Sequence, residues 1–314
     1  MTRNRRMGRL SWLAGAAVLL LGFAGAAQAE QGPCQLKQIA VVDMQTEVSG
    51  LVTVPVNING VNGRWMVDTG NAISMISSTL VTQLGLRREP TLNVGVMMGG
   101  VPIYEVATVH SLEFAGMRAD SYTLNIAPEP ILESDTIGML APDIMRNYDI
   151  DFDFAAGQMH VLSPDHCPGE VVYWTKTGYA RVPITLDSTG HITVPVVLDG
   201  HKLTAVVDTG AQGSAMGLSL VKSLYGIDER NPALRSLGDS SVNGLAKTRI
   251  YHYPFKSLTF EGVNIANPDI AILADTGLGR ESPDLLVGIQ TLRQMHMYIA
   301  YKEGALYLTP AEAR

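Results

Sequence analysis

The chain has 314 residues, 46% of them hydrophobic, and its formal net charge at pH 7 is −7. This length allows a sizeable hydrophobic core spread over roughly one to three domains. The acidic balance argues against a nucleic-acid-binding protein, which would carry a basic face. The histidines form neither an H-E-x-x-H motif nor a cluster with cysteine, so the sequence predicts no metal and no cofactor.

The first 29 residues have the composition of a secretory signal peptide. Residues 10–26 are apolar, and Ala27-Gln28-Ala29 has the small residues at which signal peptidase cleaves. The basic segment before them contains Arg3, Arg5, Arg6 and Arg9. Cleavage after Ala29 would change the formal charge to about −11 and release an exported protein, periplasmic or secreted. An uncleaved N-terminal membrane anchor is the alternative, and no later segment is long and apolar enough to span a bilayer.

The two cysteines, Cys34 and Cys167, lie on either side of the first half of the chain. An even number of cysteines in an exported protein favours a disulfide. Such a bond would tie the N-terminal arm to the segment between the two halves. Two free thiols are the alternative, and they are less compatible with an oxidising compartment.

A segment of eighteen residues occurs twice. Residues 53–70 read TVPVNINGVNGRWMVDTG, residues 193–210 read TVPVVLDGHKLTAVVDTG, and nine positions are identical. The similarity continues between residues 111–116 and 257–262, 137–139 and 287–289, and 146–159 and 293–306. The period is too long for a solenoid repeat and indicates a duplicated domain. The predicted boundaries are a signal peptide at 1–29, a first lobe at 30–166, a linker at 167–179 and a second lobe at 180–314.

Each copy is predicted to be mainly β, because short alternating apolar runs are separated by turn residues. For the first copy we expect strand 51–58, turns at 59–60 and 62–63, strand 65–67, helix 79–84, hairpin 92–109, strands 112–114 and 122–126, helix 141–146 and hairpin 148–162. The second copy opens with the matching hairpin at 182–198.

Three aspartates, Asp149, Asp151 and Asp153, alternate with apolar residues along the last hairpin of the first copy. Alternate residues of a strand share a face. We therefore expect the three carboxylates to lie on one solvated face, rather than to bind a cation.

Each repeat ends in an acid, a hydroxyl and a glycine that follow an apolar strand. The two motifs are Asp68-Thr69-Gly70 and Asp208-Thr209-Gly210. A carboxylate at the end of a buried strand is costly unless it is hydrogen-bonded or used in chemistry. Two such carboxylates on matching halves predict one shared site, although polar loop residues of an inactive duplicated barrel would give the same pattern. A third motif, Asp275-Thr276-Gly277, has no counterpart in the first copy and is predicted to be a loop.

With these motifs, the chain resembles the aspartic proteases of the retropepsin and pepsin type over nearly all of its length after residue 29. The resemblance rests on the two Asp-Thr-Gly loops, the downstream pairs Ile137-Gly138 and Val287-Gly288, and the closing hairpins. It implies a mainly β, bilobal acid-protease fold. The two homologous lobes would be β-barrels of the six-stranded type with short helices, related by a pseudo-twofold axis and separated by a cleft.

The resemblance also implies roles for individual residues. Asp68 and Asp208 would share one proton and activate a water molecule. Thr69 and Thr209 would hydrogen-bond across the axis, and Gly70 and Gly210 would let the backbones come close. The glycine-rich flap over the substrate would contain Met97, Met98, Gly99 and Gly100, although Met97 and Met98 could equally be ordinary strand residues.

Two positions depart from the family pattern. Asn71 stands where the family usually has alanine or serine, and its amide could either support or disturb the carboxyl pair. Ala211 stands where pepsins have a hydroxyl that lowers a carboxyl pKa by hydrogen bonding. We therefore expect activity at mildly acidic to neutral pH.

The function predicted from the sequence is that of an exported aspartic endopeptidase that cleaves protein or peptide substrates as a monomer. One alternative is an inactive, peptide-binding pseudoprotease that keeps the cleft. Another is that each half pairs with a second chain, as in the dimeric retropepsins.

Overall fold

The computed structural model describes residues 35–91, 97–98, 101–127, 136–186, 191–242, 246–274 and 283–311. The protein is mainly β and has two similar lobes with a sheet that takes strands from both halves of the chain. The fold class predicted from the sequence is confirmed.

The first half of the chain forms these elements: β1 (Gln38–Asp43), β2 (Gln45–Thr46), β3 (Val52–Ile58), β4 (Val61–Val67), β5 (Met75–Ser77), α1 (Ser78–Gln83), β6 (Glu89–Pro90), β7 (Met97–Met98), β8 (Val101–Pro102), β9 (Glu105–Val109), β10 (Leu112–Phe114), β11 (Met117–Ala119), β12 (Tyr122–Ala127), β13 (Gly138–Leu140), α2 (Pro142–Met145), β14 (Asp149–Asp153) and β15 (Gln158–Leu162).

The second half forms these elements: β16 (Ala180–Pro183), β17 (Thr185–Leu186), β18 (Ile192–Leu198), β19 (His201–Asp208), β20 (Ser214–Gly217), α3 (Leu218–Tyr225), β21 (Arg235–Val242), β22 (Ala246–His252), β23 (Ser257–Phe260), β24 (Val263–Ala266), β25 (Ile270–Leu273), β26 (Leu285–Gly288), α4 (Ile289–Leu292), β27 (Met295–Ala300) and β28 (Ala305–Pro310).

Three large sheets organise these strands. The first lobe has a ten-stranded sheet in the order β11-β10-β3-β4-β13-β5-β12-β9-β6, with β2 paired to β3. The second lobe repeats it in the order β21-β22-β25-β20-β26-β19-β18-β23-β24, with β17 paired to β18. A six-stranded sheet, here called the shared sheet, joins both halves in the order β1-β15-β14-β27-β28-β16.

The hairpins β3–β4 and β18–β19 each have a two-residue turn, of which the sequence predicted the first, whereas the turn predicted at 62–63 is wrong because those residues lie within β4. Asn59-Gly60 and Asp199-Gly200 all have positive φ values, as a type I′ turn requires. The side chain of Asn59 accepts the backbone N–H of Ser111 at 2.8 Å, and Asp199 accepts that of Ser257 at 2.8 Å. Each turn is therefore tied to the next strand of its own lobe by the same contact.

The strands that carry the Asp-Thr-Gly motifs are crossed by a second segment in each lobe. β13 pairs parallel to β4 and antiparallel to β5, and β26 pairs in the same way with β19 and β20. Leu140 lies opposite Val67, and Val287 lies opposite Val207. β13 therefore lies between β4 and β5, and β26 lies between β19 and β20, so that each motif loop connects two strands separated by an inserted strand.

This register corrects one sequence match. Because Leu140 is equivalent to Val287, the counterpart of Gly288 is Ala141, three residues after Gly138. Both glycines lie against a backbone carbonyl of their own lobe. A Cβ on Gly138 would lie 2.2 Å from the Met75 carbonyl oxygen and 2.3 Å from Nε1 of Trp65, and a Cβ on Gly288 would lie 2.3 Å from the Gly213 carbonyl oxygen. The pairs Ile137-Gly138 and Val287-Gly288 therefore occupy non-equivalent positions in the two lobes.

The prediction that Asp149, Asp151 and Asp153 share a solvated face is wrong. Asp149 and Asp151 are fully buried, and only Asp153, which accepts the N–H of Ala156 at 2.8 Å, is partly exposed. The linker explains the difference, because Val171 and the residues after it pack against this face of the shared sheet. A single-sequence pattern cannot show which face a later segment covers.

Cys167 is in a disulfide, and its predicted partner, Cys34, lies outside the described residues. In the described part of the chain, no helix is long and apolar enough to cross a membrane.

Candidate active site

The two Asp-Thr-Gly loops leave the ends of β4 and β19 and meet between the lobes. Asp68 is buried, and Asp208 is partly buried. The Oδ1 atom of Asp68 accepts the N–H of Gly70 at 2.9 Å, and that of Asp208 accepts the N–H of Gly210 at 2.9 Å. Each carboxyl is therefore oriented by the backbone of its own loop, at the position where the chain leaves the sheet.

The two threonines connect the loops across the axis, as the sequence comparison implied. Thr69 Oγ1 donates to the Val207 carbonyl at 2.7 Å and accepts the Thr209 N–H at 3.1 Å. Thr209 Oγ1 makes the equivalent bonds, to the Val67 carbonyl at 2.7 Å and from the Thr69 N–H at 3.0 Å. These four buried bonds fix the position of one loop relative to the other.

The glycines allow each carboxyl to lie directly against the opposite loop. A Cβ on Gly70 would lie 2.2 Å from Cγ of Asp208, and a Cβ on Gly210 would lie 2.3 Å from Cγ of Asp68. No side chain fits into that space, so the two carboxyls can approach each other only if both positions are glycine.

The two carboxyls, here called the carboxyl pair, are hydrogen-bonded to each other. Burial raises the pKa of both groups, and the negative charge of Asp208 raises the pKa of Asp68 further, well above its usual range. Because two adjacent buried carboxylates cannot both ionise easily, the pair retains one proton. A retained proton beside an ionised carboxylate gives the site an acid and a base together.

The structure shows where the Asn71 amide lies. Its Nδ2 donates to Sδ of Met139 at 3.0 Å, and its Oδ1 accepts the N–H of Ala72 at 2.8 Å. Only the backbone of Asn71 bonds Asp68, just as the Ala211 N–H bonds Asp208 at 3.0 Å. Asn71 therefore serves the carboxyl pair through its backbone, as alanine does in the second loop.

This arrangement predicts a small effect for Asn71→Ala. The backbone bond to Asp68 remains, and only the contacts to Met139 and Ala72 are lost. For the peptide hydrolysis predicted from the sequence, we expect kcat/KM to fall by less than about tenfold. The matched control is Asn71→Asp, which adds a charge beside the carboxyl pair and should shift the pH profile. A loss of several orders of magnitude in Asn71→Ala would contradict this assignment.

A pair of serines supports the loops, and the sequence analysis missed them. Ser74 Oγ accepts the Ala141 N–H at 2.9 Å and donates to Asp143 at 2.6 Å. Ser214 Oγ accepts the Gly288 N–H at 3.2 Å and pairs with Thr291 at 2.8 Å. Both serines lie six residues after the aspartate of their motif. That shared spacing is the signal that could have identified them.

A turn of the first lobe contacts the second lobe beside its loop. Gln212 donates its side-chain amide to the Ser49 carbonyl, and the Arg293 guanidinium donates to the Gly50 carbonyl. In the first loop the position of Gln212 is taken by Ala72, which has no amide. The two loops therefore make matching contacts around their aspartates, but only the second loop has this side-chain contact to the other lobe.

The predicted flap is described only in part. Strands β7 and β8 pair antiparallel, with Met97 opposite Pro102 and Met98 opposite Val101. The tip residues Gly99 and Gly100 lie outside the described residues, as does the third motif, residues 275–277. The role of the flap residues in binding substrate stays a prediction.

The threonine contacts give a measurable stability prediction. Thr69→Val keeps the shape but leaves the Val207 carbonyl and the Thr209 N–H without their buried partner. We expect the free energy of unfolding to fall by about 2–5 kcal/mol, with loss of activity. Thr69→Ser, which keeps the hydroxyl, should lose much less. Chemical denaturation of both variants tests this, and equal losses would show that the hydroxyl is not the group that matters.

Comparisons with known proteins agree with this geometry. A family model described as "Aspartyl protease" matches residues 54–141 and 194–291, one segment in each lobe. The fold is similar to that in the crystal structure of basic 7S globulin from soybean, with a TM-score of 0.50 and 10% sequence identity over 89% of this chain and 96% of that chain. A search of curated proteins found no match. Because the family model covers more than half of the sequence, in two segments of which one contains Asp68 and the other Asp208, the chain belongs to the aspartyl protease family.

Proposed function

We propose that the protein is an exported aspartic endopeptidase in which Asp68 and Asp208 activate water for the hydrolysis of peptide bonds. The observation that carries the proposal is the carboxyl pair, buried, hydrogen-bonded within itself and fixed by the threonine bonds between the loops. Membership of the family supports the reaction class. Export rests on the sequence of residues 1–29, which lie outside the described residues.

The chemistry follows from one proton shared by two carboxyls. The ionised carboxylate takes a proton from a water molecule as the water oxygen attacks the scissile carbonyl carbon. The protonated carboxyl gives its proton to the carbonyl oxygen, which forms a tetrahedral diol. As the diol collapses, one carboxyl takes a hydroxyl proton, the other protonates the leaving nitrogen, and the C–N bond breaks. The pair ends with one proton, ready for another cycle, and no acyl-enzyme forms.

Substrate is expected to bind as an extended segment between the lobes, where backbone hydrogen bonds of the strand type give affinity. The hairpin that contains Met97, Met98, Gly99 and Gly100 is proposed to cover it. Both halves of the site come from one chain, so we propose that the active form is a monomer.

The reaction class is tested by incubating the mature protein with a denatured protein mixture in water enriched in ¹⁸O. New peptide termini are then identified by mass spectrometry. Attack by water predicts ¹⁸O in the new carboxyl termini, inhibition by pepstatin, and no inhibition by a chelator or a serine-protease inhibitor. Cleavage that resists pepstatin would reject the proposal.

The raised pKa of Asp68 predicts a specific pH dependence of stability. A group whose pKa is raised on folding stabilises the protein fully below its unfolded pKa, about 3.9, and this contribution is lost as pH rises through the folded pKa. Asp68→Asn removes that group. Wild-type Tm should therefore fall relative to the variant as pH rises from about 4 to neutral. Parallel thermal scans test this, and a constant difference would contradict it.

The raised pKa of Asp68 also determines the pH range in which we expect activity. Because the pair keeps its proton above the range of an ordinary carboxyl, the active form persists at mildly acidic to neutral pH. The second loop has alanine at Ala211, so no side-chain hydroxyl at that position lowers the pKa of Asp208. A rate profile with its maximum near pH 2 would contradict this expectation.

A further inference from the structure

The centre of the shared sheet is a seam between two equivalent strands. β14 of the first half pairs antiparallel with β27 of the second half, and Asp151 lies opposite Tyr298. The equivalence of Leu140 and Val287 sets an offset of 147 residues between the halves. By that offset Tyr298 is the counterpart of Asp151, and His296 is the counterpart of Asp149. The pseudo-twofold axis therefore passes through the Asp151–Tyr298 pair.

The two strands carry complementary groups at these equivalent positions. β14 contributes two fully buried carboxylates, whereas β27 contributes an imidazole and a phenol. His296 Nε2 lies 2.6 Å from Oδ1 of Asp151, and the Tyr298 hydroxyl donates to Oδ2 of Asp149 at 2.9 Å. Each acid of the first half is thus met by a donor from the second half.

His166 and the linker residues Tyr173 and Trp174 complete this cluster on the covered face of the shared sheet. His166 Nε2 lies 2.6 Å from Oδ2 of Asp149, and the Tyr173 hydroxyl donates to Asp151. Trp174 stacks on the His296 ring with a centroid distance of 4.3 Å and donates its indole N–H to Thr309 at 3.0 Å. The carboxylates are therefore enclosed, and water cannot replace a missing donor.

This arrangement is incompatible with pairing between like halves. In a seam made of two β14 strands in the same register, Asp151 would lie opposite Asp151 with an Asp149 on each side. Directly opposed like charges destabilise a strand pair, and buried charges without partners are costly. In a seam made of two β27 strands, His296 and Tyr298 would face their own counterparts, and no carboxylate would be there to accept from them. Only the unlike pair sets these donors against the buried carboxylates.

We propose that this buried cluster is the recognition surface by which the first lobe selects the second lobe and excludes another first lobe. The partner that fits β14 is a strand with donors at alternate positions, as His296 and Tyr298 provide. The cluster thus attracts the second lobe through hydrogen bonds and disfavours another first lobe through repulsion between carboxylates. The proposal does not depend on catalysis.

The test uses the full chain and the matched variants His296→Asp and His296→Asn. Aspartate places a carboxylate against Asp151, as in the excluded pairing, whereas asparagine has nearly the same shape without the charge. The Tm of His296→Asp should be at least about 5 °C below that of His296→Asn. Adding Asp151→Asn to His296→Asp should recover most of that difference, because one carboxylate is removed.

If His296→Asp does not accumulate as folded protein, recovery of folded protein in the variant that also carries Asp151→Asn supports the proposal. If the combined variant is no more stable than His296→Asp, the residues are required individually and charge complementarity does not select the partner. Equal Tm values for His296→Asp and His296→Asn would also overturn the proposal.

Discussion

Asn substitution of either Asp68 or Asp208 is expected to abolish peptide hydrolysis while the protein stays folded. The two carboxyls act as a unit, because one must be ionised and the other protonated in the same step. Each single variant should lose about a thousandfold or more in kcat/KM, and the double variant should lose little more. Initial rates on a fluorogenic peptide measure this directly.

The stability of these variants provides an internal check. Burial and mutual repulsion make ionisation of the pair unfavourable, so a neutral amide in one position should keep Tm at pH 7 or raise it. Asp165→Asn is the matched control, since Asp165 is exposed and pairs with Lys302 at 2.7 Å. Hydrolysis that persists in both Asp68→Asn and Asp208→Asn would remove the basis of the proposed mechanism.

The second large effect is expected from the two glycines of the motifs. In Gly70→Ala the new Cβ would have to lie 2.2 Å from Cγ of Asp208, a distance at which the loops must separate. Gly210→Ala creates the same conflict with Asp68. We expect each change to lower the free energy of unfolding by about 1–3 kcal/mol or more and to abolish activity, because the carboxyls can no longer share a proton.

Gly213→Ala, in the second loop, supplies the control. A Cβ at Gly213 would meet its nearest neighbour, Oε1 of Gln290, only at 3.9 Å. This variant should therefore keep most of its activity and stability. If Gly70→Ala were as active as Gly213→Ala, the close approach of carboxyl and glycine would not be needed for the reaction.

The repeat identified Asp68 and Asp208 as equivalent residues, which is the part of the site that the sequence alone could supply. Their approach at the pseudo-twofold axis, and the hydrogen bonds of Thr69 and Thr209 across it, were implied by the resemblance to aspartic proteases. The opening turns were equally predictable, because Asn59-Gly60 and Asp199-Gly200 favour positive φ through local chemistry alone.

Features that depend on distant contacts could not be predicted in this way. Gly138 was matched to Gly288 by pattern, but the strand register makes Ala141 the counterpart of Gly288. The space beside Gly138 is filled by the Met75 carbonyl and by Trp65, a residue without an aromatic counterpart in the second lobe. The burial of Asp149 and Asp151 depends on a linker that crosses their face of the sheet. Periodicity describes the two faces of a strand and contains no information on what covers each of them.

The central claim is that the two motifs of one chain build one hydrolytic site, and titration with pepstatin tests it most directly. Increasing amounts of inhibitor are added to a known concentration of the mature protein while peptide hydrolysis is measured. We predict that the rate falls linearly to zero at one inhibitor per chain. One inhibitor per two chains would contradict this claim, because each chain would then contribute only one of its two motifs to a site. An absence of hydrolysis by a folded protein that still binds peptide would identify a binding module instead of an enzyme.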